Sequence, residues 1–381
     1  MATALVNARV LLDQGFETGL AVLVEDGRIA AVAPAGELPA AAERIDLDGL
    51  RLVPGFIDVQ VNGGGGALFN DAPTVETIAT IGRAHRRFGT TGFLPTLISD
   101  DLSVVREAIR AVDAAINAGV PGVLGIHIEG PFLNTRRKGI HDSSKIRELD
   151  EAGFETITGL HNCCTLVTLA PERTTPAMIR RLAKAGLIVS AGHTDGSYEE
   201  IRAALDAGVT GFTHLFNAMS PLTSREPGAV GAALEDQNSW CGLIVDGRHI
   251  APATMRVALR CKPIDRFMLV TDAMPSVGMA EKSFILQGQT IRVEDGVCVN
   301  VDGTLAGSDL DMACAVRNAV AMLEVDVETA LRMASRHPAA FIGLDDRMGR
   351  IAPGLTASLV ALDENLRVVR SWIDGAEAEP A

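Results

Sequence analysis

The sequence predicts an α/β protein built on a TIM (β/α)8 barrel with a small β-domain attached, and three observations predict it. Eight short apolar runs alternate with segments whose apolar residues recur at helical spacing. Several of those runs end on a carboxylate or an imidazole, and in a parallel barrel the strand ends carry the chemistry. Both ends of the chain read instead as short strands separated by turns. At 381 residues and 47% hydrophobic, the chain is long enough for one large domain plus a small satellite.

The N-terminal strands are Ala4 to Leu11, Gly19 to Val24 and Arg28 to Val32, with Asp26-Gly27 between the last two as a hairpin signal. The C-terminal strands are Ala357 to Leu362 and Val368 to Ile373. Pairing of the two ends into one small β-domain is the expectation, although no register can be read from sequence. Between them the barrel strands are expected at Leu52 to Val59, Gly92 to Leu97, Val123 to Ile128, Thr165 to Leu169, Leu187 to Ala191, Val209 to Thr213, Gly242 to Val245 and Phe267 to Thr271. Helical spacing shows in Val75-Ile78-Ile81 and in Val105-Ile109-Val112-Ile116. Eight βα units in unbroken alternation favour a closed barrel over an open doubly wound sheet. Residues 281–308 interrupt the pattern with three β-rich runs, the last two joined by Glu294-Asp295-Gly296, and read as a β-hairpin insertion. The expected division is 1–51 for the N-terminal part of the small domain, 52–347 for the barrel and 348–381 for the C-terminal part.

A net charge of −14 and a pI near 5.0 argue against nucleic acid or an anionic membrane surface as partner. A small anionic substrate stays open if a local cluster of cations receives it. No apolar run reaches the ~18 residues that span a bilayer, and the first residues lack the charged start and long apolar core of a signal peptide. The cytoplasm is therefore the expected compartment. Six cysteines without a CxxC pattern read as reduced thiols.

On the barrel, Glu129 follows strand 3, His193 strand 5, His214 strand 6 and Asp272 strand 8, with Gln60 and Asn62 after strand 1. His141 and His249 fall on the loops after strands 3 and 7. One glutamate and two histidines suffice for a zinc-like site that leaves a position open for water. Asp272 is then the natural group to take a proton from that water and return it to a leaving amine. A single strand-end histidine is more often structural, and a strand-end aspartate often caps a helix. Four such residues at the same end of different strands are hard to explain as separate accidents. His127 lies two residues before Glu129 on the same face but deeper, and is read as a supporting or core residue. The run Gly63 to Gly66 does not match a dinucleotide fingerprint, since no helix follows at once. For anions the candidates are Arg136-Arg137-Lys138 and Ser224-Arg225-Glu226-Pro227-Gly228, where Arg225 suits a phosphate through two parallel hydrogen bonds.

The stretches Pro54-Gly55-Phe56-Ile57-Asp58-Val59-Gln60-Val61-Asn62-Gly63, His127-Ile128-Glu129-Gly130-Pro131-Phe132, Lys138-Gly139-Ile140-His141, Ser190-Ala191-Gly192-His193, His214-Leu215-Phe216-Asn217-Ala218-Met219, Arg225-Glu226-Pro227-Gly228 and Thr271-Asp272-Ala273 together carry a resemblance. The chain resembles the N-acetylglucosamine-6-phosphate deacetylase family of the amidohydrolase superfamily, from end to end. The resemblance implies a β-sandwich built from both termini, and hydrolysis of the substrate acetamide to D-glucosamine 6-phosphate and acetate. It implies one divalent metal per subunit on Glu129, His193 and His214, zinc by preference with Fe2+ or another divalent ion as substitutes, and Asp272 as catalytic acid/base. It implies His141 on the acetamide carbonyl, and Gln60, Ile140, Asn217, Ala218, Leu305, Ala306 and Gly307 around the sugar. Arg225 and His249 match the phosphate-binding pair, part of which comes across a homodimer interface in that family. Many amidohydrolases carry His-x-His after strand 1 and bind two metals, whereas this chain has Gln60-Val61-Asn62, which fits one-metal members because amides are poor ligands for zinc-like ions. The alternatives left open are the N-acetylgalactosamine 6-phosphate epimer, another amidohydrolase reaction such as hydrolysis of a cyclic amide, and a non-catalytic protein on an inherited barrel.

Overall fold

The computed structural model describes residues 2–159 and 163–378. Eight of the apolar runs form one parallel sheet: β1 (Phe56–Val61), β2 (Thr90–Ile98), β3 (Gly125–Glu129), β4 (Cys164–Leu169), β5 (Ile188–Ala191), β6 (Val209–Phe212), β7 (Trp240–Leu243) and β8 (Phe267–Leu269). Each pairs with its sequence neighbour. The sheet closes just beyond β8, where the Asp272 N–H donates to the Gln60 carbonyl at 3.0 Å and Val61 bridges Ala273 in parallel. Asp272 thus sits on the seam of the barrel.

Every residue of β1, β2 and β3 is buried, which is why these strands read as continuous apolar runs rather than alternating ones. The outer helices follow the expected spacing. In Val75–Arg86, Ile78 and Ile81 are buried and the Thr74 side chain accepts from the Thr77 N–H as an N-cap. In Leu102–Asn117, Val105, Ile109 and Val112 face the barrel among the buried residues.

Two expected strands are divided. Leu52 to Val59 splits at Gly55 into Arg51–Pro54, which pairs with Leu359–Leu362, and β1. Ala4 to Leu11 breaks at Asn7, whose φ of +55° ends the extended run. The two halves then join different sheets, Thr3–Val6 one and Arg9–Leu12 the other. A four-stranded and a six-stranded sheet result, the second containing strands from both chain ends. Leu5, Val22, Ile29, Leu52, Leu359 and Trp372 share one apolar cluster between them, so the terminal domain is a sandwich. The Asp26-Gly27 hairpin forms as expected, with both residues at positive φ.

The insertion is larger than a hairpin. Ser283–Leu286, Gln289–Glu294 and Val297–Val299 pair in sequence, and a fourth strand, Leu305–Ser308, continues the sheet. Ser308 bonds the backbone of Asp272 and Met274, which ties the insertion to the barrel seam. Among the described residues no helix is long and apolar enough to cross a membrane.

Candidate active site

The strands stop where the sequence changes from apolar to ionisable, and the backbone then turns sharply. The φ angles are +47° at His193, +34° at His214 and +53° at Asp272, a region that L residues seldom adopt and that costs on the order of 1 kcal/mol or more each. Such strain persists only where the surroundings impose it. At β3 the turn is made by Gly130 instead, with φ +96°. A Cβ there would lie 2.3 Å from the Ser99 hydroxyl oxygen, so the position is closed to other residues.

Three side chains meet at one point. Glu129 Oε1 lies 2.9 Å from His214 Nε2 and 3.2 Å from His193 Nε2, and the two nitrogens are 3.1 Å apart. All three residues are buried. His193 Nδ1 is 2.8 Å from the Arg137 carbonyl. A carbonyl only accepts, so Nδ1 carries the proton and the Nε2 lone pair faces Glu129. Burial works against ionisation of Glu129, yet the hydrogen bond and charge of His214 hold its carboxyl well below the ordinary range.

Asp272 is placed by amides. Asn62 Nδ2 donates to Oδ1 at 2.6 Å and Gln60 Nε2 donates to the same oxygen at 3.2 Å, which leaves Oδ2 to receive a proton. Gln60 Nε2 also donates to both Glu129 oxygens, at 3.2 and 3.1 Å. Burial first, and the Glu129 carboxylate second, push the Asp272 carboxyl up to about 6. Among the described residues neither carboxylate forms an ion pair with a lysine or arginine. A buried and a half-buried carboxylate without a fixed cation, and two imidazole nitrogens converging beside the buried one, fit a divalent ion: two nitrogens and one oxygen are the donor set of a catalytic zinc-like site.

His141 faces the same cavity with its tautomer settled. The Ser99 backbone N–H donates to His141 Nδ1 at 3.2 Å and the Ser99 hydroxyl lies 2.8 Å from the same atom. A nitrogen that accepts from an N–H carries no proton, so the ring proton is on Nε2. Burial, then the neighbouring His193, hold His141 well below the ordinary histidine value. It is a neutral hydrogen-bond donor.

The cavity has a volume of ≈350 Å³. It brings together Glu129, His193, His214, Asp272, His141, Ile140, Asn217, Ala218, His249, Leu305 and Gly307. Three expected residues do not line it. Gln60 is buried beneath, its amide committed to Glu129 and Asp272. Ala306 turns into an apolar cluster with Leu68, Ile98 and Leu286, because alternate residues of a strand face opposite sides. Arg225 lies in the exposed stretch 221–226, away from this chain's cavity. His127 is the structural residue it was expected to be. Its Nε2 lies 2.7 Å from the Thr168 hydroxyl, and burial pushes it down to about 4.

Sequence reasoning missed Ser99, and it offered Arg136 and Arg137 only as loose anion candidates. Both arginines line the cavity, and both bind Asp195, at 3.0 and 2.8 Å. The walls formed by Ile98, Ile244, Met274 and Thr304 left no signal at all, since nothing separates them from core residues in the sequence. A second cavity of ≈450 Å³, between the barrel and the terminal domain, holds none of the converging groups.

Known proteins are similar to this chain over nearly its whole length. The model of the amidohydrolase family matches residues 51–378. An N-acetylgalactosamine-6-phosphate deacetylase from Shewanella sp. (strain ANA-3) is 43% identical over 372 residues, 97% of this chain and 94% of that one. The crystal structure of N-acetylglucosamine-6-phosphate deacetylase from Pasteurella multocida superposes with a TM-score of 0.96 at 33% identity, covering 100% of both chains. A variant of the Mycobacterium smegmatis N-acetyl-D-glucosamine-6-phosphate deacetylase, in complex with N-acetyl-D-glucosamine-6-phosphate, superposes with a TM-score of 0.88 at 34% identity and covers 99% of each chain.

Proposed function

The chain belongs to the amidohydrolase family, and we propose that it hydrolyses the acetamide of N-acetyl-D-glucosamine 6-phosphate to D-glucosamine 6-phosphate and acetate. The observation that carries this reading is the arrangement around one cavity of a Glu129–His193–His214 cluster, a carboxylate with one free oxygen and a neutral imidazole donor. A divalent ion on that cluster, zinc by its donor set, supplies Lewis-acid charge stabilisation and makes water a stronger acid.

Asp272 Oδ2 takes a proton from the attacking water as the water oxygen bonds to the acetamide carbon. The His141 Nε2–H donates to the carbonyl oxygen as that oxygen gains charge. Asp272 then returns its proton to the nitrogen, the C–N bond breaks, and acetate and the free amine leave. A carboxyl raised by burial suits both halves of this exchange, because it is a stronger base than an exposed aspartate and still ionises near neutrality. Gln60 and Asn62 occupy the place where a second metal would need imidazoles, and their amides instead orient Asp272 and Glu129.

Ile140, Asn217, Ala218, Leu305 and Gly307 hold the sugar, with Ala306 packed behind that wall and Gln60 acting on the site through Glu129 and Asp272. His249 receives the phosphate. Its Nδ1 lies 2.6 Å from Asp246 Oδ2, so Asp246 fixes the ring. The exposed position of Arg225 supports its service to a neighbouring subunit's cavity in a homodimer. The six free cysteines support a reducing compartment, the cytoplasm.

The Shewanella relative favours a second substrate, the galactosamine epimer, with the same chemistry. One experiment separates the readings. Acetate release is followed with N-acetylglucosamine 6-phosphate, N-acetylgalactosamine 6-phosphate and unphosphorylated N-acetylglucosamine, with and without a chelator. Chelator-sensitive release that is fastest from the first supports the proposal, and fastest release from the second replaces it with the epimer. No release from any of the three removes the substrate reading.

A further inference from the structure

Glu172 touches neither the cavity nor the converging ligands, yet three strand-end loops meet on its carboxylate. It lies in the short turn after β4, Pro171–Arg173. Its Oε1 accepts from Asn134 Nδ2 at 2.8 Å and from the Asp195 backbone N–H at 2.7 Å, and its Oε2 accepts from the Thr194 hydroxyl at 2.5 Å. Thr194 and Asp195 directly follow His193, whose backbone is held at positive φ. Asn134 opens the loop that carries His141, and its N–H donates to the His193 carbonyl at 3.0 Å. Asp195 in turn binds Arg136 Nη1 at 3.0 Å and Arg137 Nε at 2.8 Å. The Arg137 carbonyl completes the circuit by accepting from His193 Nδ1.

From this connectivity we infer that Glu172 is a positioning residue for the metal site, setting both the backbone and the ring tautomer of His193. The inference rests on the reading of Glu129, His193 and His214 as metal ligands. Chemically the case is specific. A carboxylate with two acceptor oxygens takes three donors at once, two from the residues that directly follow His193 and one from the loop that supplies the carbonyl. Removing it takes away the side-chain contacts that brace the two residues following a strained backbone position. The His193 ring then loses the fixed carbonyl that keeps its Nε2 lone pair toward Glu129.

The test measures zinc affinity directly, by competition with a chromophoric chelator on full-length apo-protein, for the wild type, Glu172→Ala, Glu172→Gln and Asp195→Asn. Folding of each is checked by circular dichroism and thermal unfolding of the apo form. Expected is a loss of roughly 10–100-fold in zinc affinity for Glu172→Ala, the range typical of groups that orient a metal ligand. Glu172→Gln, which keeps acceptor oxygen for the two N–H donors, recovers part of it. Asp195→Asn weakens zinc in the same direction through Arg137, and it carries the test if Glu172→Ala does not fold. A role in stability alone would lower the unfolding temperature and leave the affinity of the folded apo-protein within about twofold of wild type, and that result overturns the inference. Wild-type protein that binds no zinc overturns it together with the metal reading. Equal affinities in a wild type that does bind zinc overturn the positioning role alone.

Discussion

Replacing Asp58 by asparagine should flatten the pH dependence of stability. Asp58 is fully buried in β1, below the site, where its Oδ1 accepts the N–H groups of Gln60 and Thr271 at 3.2 and 3.3 Å and its Oδ2 accepts the Thr271 hydroxyl at 2.5 Å. Those donors favour the charged form, but burial outweighs them and pushes the carboxyl up from 3.8 to about 7. Between those values the unfolded chain has released this proton while the folded chain keeps it, so the folded state binds more protons and stability falls as pH rises. The loss begins near the unfolded value and is complete above about 7. At roughly 1.4 kcal/mol per pH unit the full loss is on the order of 4 kcal/mol, of which about 2.5 falls between pH 5 and 8. Asparagine keeps the shape and an acceptor oxygen and removes the charge. Urea unfolding of both proteins, stripped of metal by a chelator, is compared at pH 5, 6, 7 and 8. The stability of wild type relative to Asp58→Asn should fall from pH 5 to 7 and level off by pH 8. A difference that stays constant with pH would mean that Asp58 is ionised in the fold throughout, and would refute the argument from burial.

Three further outcomes follow from the site geometry. Asp272→Asn should keep the fold and metal content but lose about 10²–10⁴-fold in kcat, measured by acetate release alongside metal analysis, since the proton carrier is gone and the amide is no base. His141→Ala should lose on the order of 10²-fold or more in kcat with metal content unchanged, because only the donor to the developing oxyanion is removed. Asn62→Ala removes the 2.6 Å donor that favours ionised Asp272. Its loss raises that carboxyl, so the acidic limb of the kcat/KM profile should move to higher pH by about one unit, from the ~1.5 kcal/mol or more of a charge-assisted hydrogen bond.

The barrel was legible because burial on both faces leaves a parallel strand no reason to alternate, and the change to Glu129, His193, His214 or Asp272 marks the ends of β3, β5, β6 and β8. The cluster of Glu129, His193 and His214, which could hold a metal ion, was legible for the same reason. Where the chain changes sheet without a compositional signal, the reading slipped. Asn7 and Gly55 each divide what looked like one strand, since extended residues on either side have the same character whichever sheet receives them.

By itself the sequence determined the order of the βα units, the strand ends that carry chemistry and the absence of a second histidine pair after the first strand. These are local properties: period, apolar run length and residue type at a boundary. Only the tertiary structure decided that the Gln60 amide bonds Glu129 and Asp272, that Ser99 sets the tautomer of His141, that Ala306 faces the core, and that Glu172 gathers three loops behind His193. Each of these depends on contacts between strand ends far apart in the chain. Closing the barrel is what brings those ends within hydrogen-bonding distance, and no spacing along the sequence measures that distance.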